Sequence, residues 1–287
     1  MAVSPKIFDP RQEMISADYE LQYKQDSYLK DVALHHHDFY ELYYLVSGDV
    51  TYTIESKLYH VCPGDMLLIS PNELHQVHIR PEMAIYERYV LWISPRLLER
   101  LSSRDTDLLC RLRPECEGYR NQLRLLPEAQ VQIHRLMQTL YEESQSNAYG
   151  SDLSQISLLT QLLICINRLA MDTGTAQKEL YSSSKTVSQV VAYINNHYSE
   201  DISLDRLAER FFVSKYHLSH EFHRLIGTGV HRYILKKRLL IARHLLLQGK
   251  RPGEVWQCCG FGDYSGFFRS FKAEYGITPK EYAESCR

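Results

Sequence analysis

Residues 255–276 read VWQCCGFGDYSGFFRSFKAEYG, and residues 207–227 read LAERFFVSKYHLSHEFHRLIG. The two stretches repeat one pattern of apolar residues, caps and glycines, and Leu218 in the first matches Phe267 in the second, 49 residues later. Each copy is predicted to form a short helix, a turn and a second helix, which is the layout of a helix-turn-helix DNA reader. Two such copies on one chain predict a protein that binds adjacent turns of duplex DNA.

The turns of the two copies are predicted to differ in length. Ala208 matches Trp256 at an offset of 48 residues, whereas the second helices match at an offset of 49. The second turn therefore holds one extra residue, and the two copies are predicted to contact DNA differently.

The candidate DNA contacts follow from the helical period of each copy. One face of a recognition helix packs on its scaffold, and the opposite face contacts the major groove. Arg269 is the most specific candidate for a base contact, since an arginine can bind guanine O6 and N7 with two hydrogen bonds. The candidate set is Lys215, Tyr216, Ser219 and His220 in the first copy and Tyr264, Ser265, Phe268, Arg269 and Lys272 in the second. Between the copies, Lys236, Lys237 and Arg238 are expected to contact phosphates or to form a solvated helix face.

The net charge of −2 divides unevenly along the chain. Residues 185–287 hold 16 Lys and Arg against 10 Asp and Glu, a balance of +6, and the preceding 184 residues have a balance of −8. A basic third beside an acidic remainder is the distribution expected when only one end of a chain meets DNA phosphates.

An ordered string of residues makes the second copy specific. It runs through Gly260-Phe261, Asp263, Ser265, Phe267, Arg269, Phe271-Lys272, Gly276, Thr278-Pro279 and Tyr282. With this string, the region from about residue 187 to residue 282 resembles the DNA-binding domain of the AraC/XylS family of bacterial transcription regulators. The resemblance implies two helix-turn-helix units joined by a rigid helix at 231–247. It also implies recognition helices that enter successive major grooves on one face of the DNA.

The N-terminal half has a different pattern of apolar and polar residues. Short alternating segments broken by turn residues run from about residue 19 to residue 93, which predicts an antiparallel sandwich or barrel. Residues 130–143 and 153–169 then place apolar side chains at helical intervals. Their apolar stripes either cover the barrel or form a dimer face.

A His-rich segment, HHHDFYE at 35–41, opens the predicted barrel. His35, His37 and Glu41 follow the spacing H-x-H-x-x-x-E and alternate onto one side of a strand. The segment resembles the cupin motif, in which two histidines, a glutamate and a later histidine, here His75, bind a divalent metal. Imidazole and carboxylate ligands suit a transition metal. The alternative, which the sensor domains of AraC-type regulators imply, is that these side chains form the polar walls of an effector pocket.

Tyrosines add to the effector alternative. The chain has 21 tyrosines, and Tyr43 and Tyr52 lie on predicted sensor strands. Their hydroxyls would suit a polar, ring-shaped effector such as a sugar, although tyrosine favours strands in general.

Other features bear on the compartment. No stretch approaches the roughly 20 apolar residues that a membrane helix requires, and the N-terminus lacks the apolar core of a secretory signal. The seven cysteines lack paired spacing, which argues against a disulfide framework. These features favour the reducing cytoplasm and no membrane partner.

Together the patterns predict an α+β chain of two domains. An N-terminal antiparallel cupin-like β-barrel with flanking helices occupies 1–174, a linker 175–185, and an all-α double helix-turn-helix 186–287. The predicted function is a non-enzymatic, effector-responsive transcription activator of a metabolic operon, such as one for carbohydrate use. Its predicted partners are double-stranded DNA, a small-molecule effector, RNA polymerase and a second copy of the chain. The alternative is a metal-dependent cupin enzyme fused to a DNA-binding domain.

Overall fold

The computed structural model describes residues 13–26, 32–79, 85–172, 181–182 and 184–285. Near residue 181 the chain divides into two units. Most of the predicted linker at 175–185 lies outside the described residues.

The N-terminal unit is built from short strands followed by helices. The alternating segments of the sequence form strands as predicted, and the two apolar stretches after residue 126 form helices. Its elements are β1 (Tyr19–Asp26), β2 (Val32–His35), β3 (Tyr40–Ser47), β4 (Val50–Ile54), β5 (Lys57–Val61), β6 (Asp65–Ile69), β7 (His75–Ile79), β8 (Tyr86–Ile93), α1 (Pro95–Leu101), β9 (Gln122–Arg124), α2 (Pro127–Ser144), α3 (Ser151–Asp172) and β10 (Tyr181–Ser182).

The strands form two five-stranded sheets, in the orders β1-β8-β3-β6-β9 and β10-β5-β4-β7-β2. The prediction of one closed barrel was therefore wrong, although the antiparallel pairing was right for the strand pairs described. The physical reason is that the sheets end at short strands. β9 has three residues and β2 has four, so the described ladders do not continue from one sheet to the other.

The first sheet is buried on both of its faces. Along β3 the side chains alternate, so that Leu42 and Tyr44 join the apolar core beneath α2 and α3. Tyr43 and Leu45 point the other way and join a second core with residues of β4, β6 and β8. The helices therefore cover this sheet, as one of the two sequence alternatives expected.

α3 is more apolar than we expected from the sequence. By length and composition it is sufficient to cross a membrane, contrary to the expectation that no stretch approaches that requirement. One side of the helix nevertheless packs into the unit, because Leu159, Leu162 and Ile166 are buried in the core beneath the first sheet. A core helix of a soluble protein has the same composition.

The C-terminal unit is helical. The connecting helix, expected at 231–247, is α7, which begins one residue earlier at Val230. The elements are α4 (Lys185–His197), α5 (Leu204–Arg210), α6 (Lys215–Ile226), α7 (Val230–Leu247), α8 (Pro252–Cys258), α9 (Tyr264–Tyr275) and α10 (Pro279–Ser285).

Backbone hydrogen bonds place the extra residue of the second turn. In the α5–α6 turn the Val213 N–H donates to the Ala208 carbonyl, and in the α8–α9 turn the Phe261 N–H donates to the Trp256 carbonyl, an offset of 48 at both ends. The side chains of Ser214 and Asp263 then cap α6 and α9, at an offset of 49. Gly262 is therefore the inserted residue.

Gly260 sits where only a glycine fits. Its φ of 75° lies in the left-handed region, which side chains rarely adopt. A Cβ there would lie 2.5 Å from the carbonyl oxygen of Ser199. Phe212 occupies the matching place in the first turn with a φ of 54°, and its side chain is 96% exposed.

Gly260→Ala is expected to destabilise the C-terminal unit by more than about 1 kcal/mol, because the new methyl group meets backbone atoms at an unfavourable φ. Thermal unfolding of the full-length variant measures the loss. Gly262→Ala is the matched control, since a Cβ at that position meets open space, and its melting temperature should stay near that of the wild type. Equal melting temperatures for Gly260→Ala and the wild type would contradict the steric role of Gly260.

Candidate nucleic-acid interface and sensor site

α6 separates its side chains into a buried and an exposed face, as predicted. Its N-terminus is fixed by Ser214, whose side chain accepts a hydrogen bond from the His217 N–H, and it ends at Gly227 in the left-handed conformation. Leu218, Phe222 and Leu225 are buried. The candidate contacts Lys215, Tyr216, Ser219 and His220 are all exposed.

α9 repeats this arrangement. Asp263 accepts from the Gly266 N–H at 2.7 Å, and carboxylates are favourable at a helix N-terminus. Phe267 and Phe271 are fully buried. Tyr264, Ser265, Arg269 and Lys272 are exposed, and Phe268 is half-buried. The predicted face is thus present in both copies, and its contact with DNA stays a prediction.

Lys236 and Arg238 of α7 have structural partners instead of forming a solvated face. Lys236 is only 6% exposed, and its Nζ lies 2.5 Å from Glu274 Oε1 on α9. Arg238 donates to the carbonyl oxygens of Tyr198 and Glu200, at 2.8 and 2.7 Å. The expectation of phosphate contacts was therefore wrong for Lys236, because a buried ammonium requires a carboxylate partner. Lys237 is half-buried.

In the N-terminal unit, the structure brings the predicted histidine and glutamate side chains together. His37, Glu41 and His75 each offer a ligand atom, and these atoms lie within 4.8 Å of one another. The ring of His35 lies 4.1 Å from that of His75, centroid to centroid. All four side chains are buried.

The histidines share one hydrogen-bonding pattern. Nδ1 of His35, His37 and His75 lies 2.8 Å from the carbonyl oxygens of Ala33, Phe39 and Glu73, respectively. Because a carbonyl oxygen can only accept, each Nδ1 carries a proton, and Nε2 is the ring nitrogen directed away from that carbonyl. Histidines that bind metals are oriented in this way, with the second nitrogen donating to a carbonyl or carboxylate.

The electrostatics favour a charged Glu41 and a neutral His35. Burial alone would raise the pKa of Glu41, but the hydrogen bond with His37 and the nearby histidines outweigh it and lower that pKa to about 2. The Trp92 Nε1–H also donates to Glu41 Oε2 at 2.8 Å. Burial, followed by the neighbouring His75 and His37, lowers the pKa of His35 well below its ordinary value.

A polar network holds the loop that orients His75. Tyr119 donates its hydroxyl hydrogen to Glu73 Oε2 at 2.7 Å, and Asn121 Nδ2 donates to the same oxygen at 3.0 Å. The Ser70 N–H also donates to Glu73 Oε2, at 2.8 Å. The carboxylate of Glu73 is thereby fixed, and its carbonyl is the acceptor for His75. Sequence reasoning missed this network, because Tyr119 and Asn121 are 46 and 48 residues from Glu73 in the chain.

Tyr43 and Tyr52 lie in the core between β3, β4 and β8, with ring centroids 5.0 Å apart. The Tyr43 hydroxyl donates to the Tyr86 hydroxyl at 2.9 Å. Burial raises the pKa of both Tyr43 and Tyr52, so their hydroxyls stay protonated. Sequence reasoning missed Arg88, whose guanidinium lies 3.9 Å from the Tyr86 ring centre and pairs with Asp26 at 2.6 Å.

Comparisons with known proteins identify a family model in each half of the chain. Residues 20–163 match the family model of the AraC-like ligand binding domain, and residues 207–285 match that of a helix-turn-helix domain. The HTH-type transcriptional activator RhaS of Escherichia coli O139:H28 is 24% identical over 254 residues, which cover 88% of this chain and 87% of that protein.

Solved structures are also similar. The C-terminal domain of AraT, a response regulator from Geobacillus stearothermophilus, has 28% identity and a TM-score of 0.35, over 36% of this chain and 86% of that one. Fatty-acid-bound ToxT from Vibrio cholerae strain SCE256 has 12% identity and a TM-score of 0.41, over 95% of this chain and 97% of that one.

The family models decide between the alternatives that the sequence left open. The ligand-binding model covers half of the chain, and the curated relative is a transcription activator. Both favour a regulator over a metal-dependent enzyme. The protein is a DNA-binding transcription regulator with a ligand-binding N-terminal domain, and it belongs to the AraC family.

Proposed function

We propose that this regulator is an effector-responsive activator that binds promoter DNA through both helix pairs, α5–α6 and α8–α9. The observation that carries the proposal is the matching exposed face of α6 and α9, set by the same caps and the same turn hydrogen bonds. A second helix pair with the backbone geometry of the first supports a second reading unit, since a recognition helix needs only a scaffold and an exposed face.

The proposed contacts fall into two kinds. The residues proposed to meet base edges are Tyr216, Ser219, Tyr264, Ser265, Phe268 and Arg269. His220 lies on the same face and is proposed to meet a phosphate. Lys215 and Lys272 are proposed to meet phosphates, which position a protein without reading sequence. Lys215 pairs with Asp205 at 2.8 Å, and an exposed pair of this kind is weak enough to exchange for a phosphate.

Arg269→Ala is expected to relax sequence preference at one base position by about 1–3 kcal/mol, because a two-bond contact with guanine is lost. Lys272→Ala, the matched control on the same helix, should weaken all sequences alike and reduce the salt slope of binding by about 1. Selection of full-length protein on a randomised duplex library measures the first effect, and salt titration the second. Unchanged base preferences in Arg269→Ala would remove Arg269 from the reading face.

The remaining partners are also proposals. Activation, and with it RNA polymerase as a partner, is supported by the printed function of the relative RhaS, a transcriptional activator. A homodimer is supported by the outer faces of α2 and α3, where Val131 is 69% and Leu153 73% exposed. We also propose that the domains span 1–174 and 186–287, with a linker at 175–185. The proposed compartment is the cytoplasm. A sugar is the proposed class of effector for Tyr43 and Tyr52.

A divalent transition metal is the second candidate for the N-terminal site. His37, His75 and Glu41 fit it, because each imidazole has its Nδ1 hydrogen directed to a carbonyl and Glu41 is ionised. His35, whose ring lies 4.1 Å from that of His75, is proposed as a further ligand. A bound metal would supply a Lewis acid able to hold an oxygen of the effector. The same four side chains otherwise form the polar wall of the effector pocket.

His75→Ala is expected to weaken Zn²⁺ binding by full-length, tag-free protein by more than about tenfold, since even the loss of a hydrogen-bond partner of a ligand costs that much. Isothermal titration calorimetry measures the change. His60→Gln is the control, because His60 pairs with Asp49 away from the cluster and should leave the affinity unchanged. Zn²⁺ binding of equal strength in His75→Ala and the wild type would exclude this metal site and leave the effector pocket.

A further inference from the structure

The exposed face of α6 carries an array of histidines. His217, His220 and His223 recur at every third residue and are all exposed, and residues three apart are neighbours on one side of a helix. Leu218 and Phe222 lie buried on the opposite side. The side chains presented to solvent, and on the proposed function to DNA, therefore include three imidazoles.

Both permanent cations of α6 already have carboxylate partners. Lys215 Nζ lies 2.8 Å from Asp205 Oδ1 of α5. Arg224 donates from Nε and from one terminal nitrogen to the two oxygens of Glu221, at 2.9 Å each. The three imidazoles are the remaining basic side chains of α6.

The charged groups beside the array include two carboxylates, Glu221 and Asp205. Glu221 is the acidic neighbour on α6 itself; its pKa is lowered by the hydrogen bond from Arg224 and also by His217 and His220. Asp205 of α5 accepts a hydrogen bond from Lys215 of α6. α4 and α7 pack against α6, and α7 does so through the ring of Tyr233, 5.5 Å from that of Phe222 on the buried side.

The second recognition helix differs at the matching positions. At the offset of 49 that relates α6 to α9, His220 corresponds to Arg269 and His223 to Lys272. All four side chains are exposed. The first helix pair therefore carries groups that gain and lose charge where the second pair carries permanent cations.

We infer that the first helix pair takes up protons when it binds DNA, with His220 and His223 as additional phosphate contacts in their charged form, whereas the second pair does not. The inference rests on the proposed function. Imidazole is the side chain whose charge changes between about pH 5 and 8, and a neighbouring anion favours its charged form. The bound state then holds more protons than the free state, so the affinity for DNA rises as the pH falls.

The test is salt titration of full-length protein on a fluorescent duplex of random sequence, at about pH 6 and about pH 8. A probe of random sequence reports phosphate contacts, because these are independent of sequence. Each phosphate contact steepens the decline of log affinity with log salt by about 0.9. The wild type should therefore show a slope steeper by roughly 2 at the lower pH, for two added contacts.

Three double variants separate the contributions. His220→Gln with His223→Gln should give the shallow slope at both pH values, and His220→Lys with His223→Lys the steep slope at both. Arg269→Gln with Lys272→Gln is the matched control in the second pair; it should lower the slope at both pH values and preserve the difference between them. All six substitutions are at exposed positions, so circular dichroism should confirm intact helices.

Two results would overturn the inference. One is a wild-type slope that is the same at both pH values, and the other is a pH difference that persists in the His220→Gln, His223→Gln variant. In either case DNA binding itself would stand, and with it the proposed function. Absence of binding by the wild type at both pH values would instead refute the DNA contacts proposed above and this inference together.

Discussion

Burial of Phe222 in α6 and of Phe271 in α9 fixes the rotation of each helix about its own axis. Both rings are fully buried, and truncating a buried phenylalanine typically costs about 3–5 kcal/mol. A helix held in this way has one face to offer, so the packing of the core decides which side chains reach solvent. The proposed DNA contacts of Arg269 and His220 depend on this packing, because the buried rings leave these two side chains on the exposed faces.

The N-terminal unit follows a different constraint, which is the cost of burying polar groups. Its inner side chains include Glu41, three histidines and the hydroxyls of Tyr43 and Tyr52. The structure offsets this cost by directing each Nδ1 hydrogen to a carbonyl and the Trp92 N–H to Glu41. A core built in this way is pre-organised around its polar atoms, as a ligand-binding site requires.

Much of this architecture could be predicted from local patterns. Helical periodicity identified the faces of α6 and α9, the offsets of 48 and 49 identified the longer second turn, and the H-x-H-x-x-x-E spacing identified a cluster that forms in three dimensions. Contacts between distant strands and helices could not be predicted. Trp92 lies opposite Glu41 only through the β3–β8 register, and Lys236 meets Glu274 only because α7 packs near α9. The number of sheets likewise depends on where pairing ends, which strand propensity does not encode.

Arg238 illustrates how a residue of unremarkable charge can be difficult to replace. Its guanidinium reaches two carbonyl oxygens beyond the end of α4, those of Tyr198 and Glu200. The planar fork of arginine can donate to both at once, whereas the single ammonium of lysine is a point charge on a flexible stem. Lysine at this position would keep the charge of the unit but would lack this paired donor geometry. The contact between α4 and α7 would then be weaker. Geometry, more than basicity, is what the chain requires of this side chain.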